Sequence, residues 1–139
     1  MPNLVLVHGA GGSPAGWNYI SQNLPGGLNI FRPHYDINLT DPFDIINSIC
    51  SQVNNHFENQ SVTYVGHSLG GVLGGWISAS GLIHVDHLVT ISAPWLGSPF
   101  ARWLRLVFRN NNLFHHMNPG SEFLDFLQEK TFLKPHTNV

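Results

Sequence analysis

Short apolar runs alternate with longer segments in which apolar residues recur every three or four positions. Asn3 to Val7 (N-L-V-L-V) is the first run, and continuous apolar character of that length suits a strand buried on both faces of a parallel sheet. A glycine-rich loop follows, His8 to Gly12. Ser13 is placed to cap a helix with Pro14 at its first position. That helix is expected to reach about Leu24, burying Trp17, Ile20 and Leu24, and Pro25-Gly26-Gly27 ends it. Leu28 to Arg32 reads as a second strand. Asp41-Pro42 repeats the cap-and-proline start, and a second helix runs to about Phe57. Its stripe is Phe43, Ile46, Ile49, Cys50, Val53 and Phe57.

Ser61 to Val65 (S-V-T-Y-V) reads as a third strand, Leu69 to about Ser80 as a third helix rich in small residues, and His87 to Ile91 as a fourth strand. Pro99 to Arg109 and Gly120 to about Leu127 look helical, and Lys134 to Val139 begin an extended segment. Strands alternating with helices at this spacing predict βαβ crossovers. The expected fold class is therefore α/β, a three-layer sandwich around about four parallel strands, with residues 1–139 as one domain. The edge beside the fourth strand is expected to be open. An unpaired edge invites association, so a dimer or a partner strand is expected there.

Composition narrows the function. Of 139 residues, 42% are hydrophobic, enough for a core, and only 10% are charged. With a net charge of −2 this argues against a nucleic-acid surface and against disorder. The single cysteine, Cys50, excludes an internal disulfide framework and reads as a small buried hydrophobe. Met1 to Val7 run straight into a strand, with no basic leader, and no apolar stretch reaches the ~18 residues of a membrane span. The expected location is cytoplasmic. The nine histidines are scattered without zinc spacing, so no metal and no cofactor are expected.

One motif carries chemistry. Gly66-His67-Ser68-Leu69-Gly70 fits G-x-S-x-G, directly after a predicted strand and before a predicted helix. A nucleophilic serine must protrude from a sharp turn, and glycines two residues to either side remove side chains that would collide across it. The following helix aims its first N–H groups at a developing oxyanion. The plainer reading is a glycine-rich turn with a capping serine. A second element argues against it: His8-Gly9-Ala10-Gly11-Gly12 follows the first strand. Alone, that loop could cradle a phosphate, but it lacks the G-x-x-x-x-G-K-[ST] pattern and a nearby lysine.

Three segments, L-V-L-V-H-G-A-G-G-S (4–13), V-G-H-S-L-G-G (65–71) and S-A-P-W-L-G-S (92–98), resemble the N-terminal part of lipases and esterases of the α/β-hydrolase superfamily. P-G-S-E-F-L (119–124) resembles a segment further downstream. The resemblance implies Ser68 as nucleophile, with the backbone N–H groups of Leu69 and Ala10 as the oxyanion hole. Gly66 and Gly70 would be the elbow glycines, and His8, His67 and Trp95 would border the pocket. The superfamily order is nucleophile, acid, histidine, and neither later member is evident. Asp86 and His87 lie at the wrong end of the sheet. His115, His116, Asp125 and His136 have no evident placement at the site. The core is thus expected to be an incomplete α/β-hydrolase core.

Two functional readings stay open. One is hydrolysis of a small-molecule carboxylic ester or lipid by acyl-enzyme chemistry. The other is an inactive hydrolase-like domain that binds a ligand or protein partner. Residues 99–109 (P-F-A-R-W-L-R-L-V-F-R) present Arg102, Arg105 and Arg109 on one stripe, which suits either peripheral membrane contact or an ordinary helix with a solvated face.

Overall fold

A computed structural model describes residues 2–36 and 42–93 and the backbone of 137–138. Five strands form one sheet in the order β2-β1-β3-β4-β5. They are β1 (Asn3–Val7), β2 (Asn29–Phe31), β3 (Val62–His67), β4 (Val85–Ile91) and the two-residue β5 (Thr137–Asn138), and every pairing is parallel. The count is one more than expected. Backbone from the extended C-terminal segment pairs with the edge read as open, Val89 opposite Thr137 and Thr90 opposite Asn138.

Right-handed crossovers dictate the layers. The step from β1 out to β2 and the steps from β2 to β3 and β3 to β4 run in opposite directions along the sheet. They place α1 (Asn18–Asn23) on one face, and α2 (Pro42–Phe57) and α3 (Leu69–Ser80) together on the other. The packing of α2 against α3 agrees. The predicted three-layer α/β sandwich is what the chain forms.

The core follows the apolar pattern with three exceptions, Phe43, Ile20 and Leu24, the last half-buried just past the end of α1 at Asn23. Ile46, Ile49, Cys50, Val53 and Phe57 of α2 are buried as expected, and Ile45 joins them. Phe43 is 40% exposed instead, at the first turn, where its ring meets Trp76 edge-on at 4.7 Å. Ile20, expected inside, is 41% exposed. The cause is local: Pro14–Trp17 is a turn of 3-10 helix before α1 begins, so the 3.6-residue phase is broken between Trp17, which is buried, and Ile20. Ser13 stands at the cap position with extended backbone, but its side chain makes no capping hydrogen bond. Burial pushes the Cys50 thiol up to about 11, which makes it an inert core group. No helix among the described residues is long and apolar enough to cross a membrane.

Register brings the motifs together. Val7 lies opposite Gly66, and His67 opposite Ile91. The loop after β1 and the turn after β3 therefore leave the sheet side by side at its carboxyl edge, where open α/β sheets bind ligands. Asp86 and His87 belong to the first residues of β4, at the opposite edge, since His87 pairs with Thr63.

Candidate active site

Ser68 occupies the single residue between β3 and α3. Its φ of 54° and ψ of −119° lie outside the regions that side-chain-bearing residues ordinarily adopt. Three hydrogen bonds fix that conformation. Its N–H donates to Ile91 O at 2.9 Å, tying the turn to the end of β4, and its carbonyl accepts from the N–H groups of Gly71 at 3.0 Å and Val72 at 3.3 Å. The side chain is half-buried.

The flanking glycines are sterically required. A Cβ on Gly66 would lie 2.4 Å from Gly70 O, and one on Gly70 would lie 2.5 Å from Val7 O and 2.6 Å from His8 O. The loop after β1 presses on the serine from the other side: a Cβ on Gly9 would be 3.2 Å from Ser68 Cβ. Residues Gly9 to Gly12 form a tight turn closed by Gly12 N–H to Gly9 O at 3.1 Å. Gly11 has φ +74° at its third position, as a type II turn demands. The closing bond uses the Gly12 N–H and not that of Ala10, an exposed residue at the turn's second position.

His8 is buried. Its Nδ1 lies 2.8 Å from Gly9 O, and since a carbonyl only accepts, Nδ1 carries the proton. The ring stacks on Tyr35 at 4.2 Å with 3° between planes, and Nε2 is buried without a hydrogen-bond partner among the described residues. Burial holds the imidazole below its ordinary value of 6.5, with His34 nearby adding to the effect. The unfolded chain therefore binds a proton more readily than the folded one. Stability carried by His8 is full above pH 6.5 and falls as the pH drops from there toward the lowered folded value. Urea unfolding at pH 7 and pH 5 is expected to show a smaller loss of stability in His8→Asn than in wild type; equal losses would rule out the neutral buried imidazole.

Beside the serine, a cavity of ≈370 Å³ opens between the loop after β1 and the start of α1. Trp17, Ile20 and Ile91 give it apolar walls, and His8, Gly9 and His67 form its rim toward Ser68. Arg32 ties down the 3-10 turn and the start of α1, donating to Pro14 O and to Asn18 Oδ1. A second hollow of ≈540 Å³ is larger but lies at the amino edge of the sheet among Asn3, Thr63, Asp86 and His87, far from the elbow.

The structure thus brings Ser68, Leu69, Ala10, Gly66, Gly70, His8 and His67 to one edge. Among the described residues no hydrogen bond joins Ser68 to a histidine, and no cluster of three metal-ligating residues is present. Trp95, the helices expected at 99–109 and 120–127, and His115, His116, Asp125 and His136 lie outside the described residues. Two contributors had no signal in the sequence. The Tyr35 hydroxyl donates to His8 O, and the Tyr64 hydroxyl donates to Gly70 O, each at 2.8 Å.

Such a sheet, with a strained serine between strand and helix, defines the class of α/β hydrolases. The chain belongs to the alpha/beta hydrolase family, whose model matches residues 4–136. Among solved structures it is similar to a carboxylesterase of Nitrososphaera gargenis, at 24% identity and a TM-score of 0.59, over 78% of this chain and 43% of that one. It is also similar to a phospholipase from Legionella pneumophila (18% identity, TM-score 0.67, 94% and 35% coverage). An extracellular α/β-hydrolase from a Paenibacillus species matches at 17% identity and TM-score 0.64, with 94% and 66% coverage. The chain therefore spans less than two thirds of the length of each. A comparison with curated proteins finds no match.

Proposed function

We propose that this chain carries the nucleophile and oxyanion hole of a serine hydrolase that cleaves carboxylic esters through an acyl-enzyme at Ser68. The observation that carries the reading is the backbone of Ser68, held at positive φ with the Gly9–Gly12 turn against its side chain. In the reaction the Ser68 hydroxyl attacks the ester carbonyl, its proton passes to a base, and the carbonyl oxygen becomes an oxyanion. The N–H groups of Leu69 and Ala10 would receive that charge. The alcohol then leaves with a proton, and water releases the acid. The neighbouring cavity, walled by Trp17, Ile20 and Ile91, suits an apolar acyl group. Relatives described as a carboxylesterase and a phospholipase accord with an ester substrate.

A second reading is favoured by the lack of a histidine bonded to Ser68 among the described residues. The chain would then be an inactive hydrolase-like domain that binds a ligand or partner. Without a base, a serine hydroxyl is a poor nucleophile at neutral pH. Incubation with a fluorophosphonate probe separates the two. The ester hydrolase should acquire one covalent label that maps to Ser68 and is lost in Ser68→Ala. A folded chain that takes no label would support the binding reading.

A further inference from the structure

Two tyrosines outside the G-x-S-x-G motif reach its geometry from below. Tyr35 is 3% exposed and Tyr64 is 0% exposed, so each hydroxyl must find a partner inside the protein. Both use backbone carbonyls, and the choice is specific. Tyr35 donates to His8 O, the carbonyl immediately before the Gly9–Gly12 turn. Tyr64 donates to Gly70 O, in the first turn of the helix that begins after Ser68. These two backbone segments touch, since a Cβ on Gly70 would come within 2.6 Å of His8 O. We propose that Tyr35 and Tyr64 are paired positioning residues for the oxyanion hole, one phenol fixing the peptide that leads to Ala10 and the other fixing the helix turn that carries Leu69. The proposal rests on the hydrolase reading for its catalytic consequence, but not for the clamp itself.

The surroundings are built for this role. Tyr35 also stacks flat on His8, so ring and hydroxyl hold the same residue from two directions. The segment carrying Tyr35 is braced in turn: Gln52 accepts from His34 N–H at 3.1 Å and donates to His34 O at 2.7 Å. For Tyr64, the room comes from Gly74. A Cβ there would lie 2.3 Å from the tyrosine ring, so only glycine lets the ring lie against α3 and place its hydroxyl under Gly70. Burial pushes the pKa of both phenols well above the ordinary value of 10, so both remain proton donors at any ordinary pH.

Phenylalanine at either site keeps the ring and removes the bond. A misplacement of about 1 Å in an active site can cost on the order of a hundredfold in rate. Partial loosening of one donor is therefore expected to lower kcat about tenfold for 4-nitrophenyl butanoate in Tyr35→Phe and in Tyr64→Phe, with KM within about twofold. Tyr19→Phe, at an exposed phenol, is the control and should match wild type. A purely structural role would lower the melting temperature and leave kcat of the fully folded variants unchanged, which would overturn the proposal. Amide hydrogen exchange gives a readout that needs no activity. Gly12 N–H should exchange at least about tenfold faster in Tyr35→Phe, and Gly71 N–H, which is bonded to Ser68 O, in Tyr64→Phe. Should wild type neither hydrolyse the ester nor take the fluorophosphonate label, the hydrolase reading fails. The clamp is then decided by exchange alone: acceleration at those two amides upholds it, and unchanged exchange overturns it.

Discussion

Gly70→Ala is expected to destabilise the chain by about 3 kcal/mol or more, a large share of the roughly 5–15 kcal/mol that holds a typical domain folded. The added methyl would sit 2.5 Å from Val7 O and 2.6 Å from His8 O. Both are backbone atoms, at the end of a central strand and at the start of the turn against Ser68, so neither can swing aside as a side chain would. Relief requires α3 to move off β1, which opens the core around Leu69 and Leu73. Gly66→Ala meets the same wall from the other side, at 2.4 Å from Gly70 O. Gly16→Ala is the matched control. Nothing among the described residues lies within 4 Å of a Cβ there, so the change should be neutral or stabilising by about 0.5 kcal/mol. Urea denaturation of the three variants measures the contrast. A Gly70→Ala midpoint equal to that of Gly16→Ala would show that β1 and the elbow are not in contact.

That contact explains why the elbow was legible from sequence. The Gly66 side of the spacing reflects a collision with Gly70 across one short turn, written within five residues, whereas Gly70 is pressed by Val7 and His8 of β1 and the loop after it. The same holds for β1 and α3, whose apolar run and small-residue helix are local patterns. Legibility ended where a residue's role depends on geometry that no periodicity or motif carries. Ile20 and Phe43 sit at the right spacing to be buried, but a 3-10 turn shifts the phase of one and the other, at the start of α2, meets Trp76 edge-on while 40% exposed. Tyr64 read as one more residue of the third strand, and Tyr35 fell between the second strand and the second helix with no reading at all. Their hydroxyl partners are set by how the loop after β1, β3 and α3 pack together, with Tyr35 bonding 27 residues away and Tyr64 bonding the helix that follows its own strand. No period or motif encodes such a pair. The two-residue β5 is a similar case, since its pairing with Val89 and Thr90 joins positions 48 residues apart.

Ser68→Gly is expected to raise stability while removing the nucleophile. At φ 54° and ψ −119° a side-chain-bearing residue stores roughly 1–3 kcal/mol of strain. Glycine has no Cβ to clash, so the strain is released, less the roughly 0.5–1 kcal/mol that its freer unfolded state costs. The net gain should be about 1 kcal/mol, or a few degrees in melting temperature. Ser68→Ala isolates the hydroxyl: it keeps the Cβ and hence the strain, and should melt close to wild type. Both variants should take no fluorophosphonate label. The stability order glycine above alanine and wild type is the signature of a residue held against its preference by its surroundings. Here those are the bond to Ile91 O and the two bonds its carbonyl accepts from α3. A glycine variant less stable than the alanine variant would mean that the backbone at 68 is unstrained. In that case the turn would be an ordinary strand-to-helix connection that happens to carry a serine, and the strongest structural argument for its nucleophilic role would go with it.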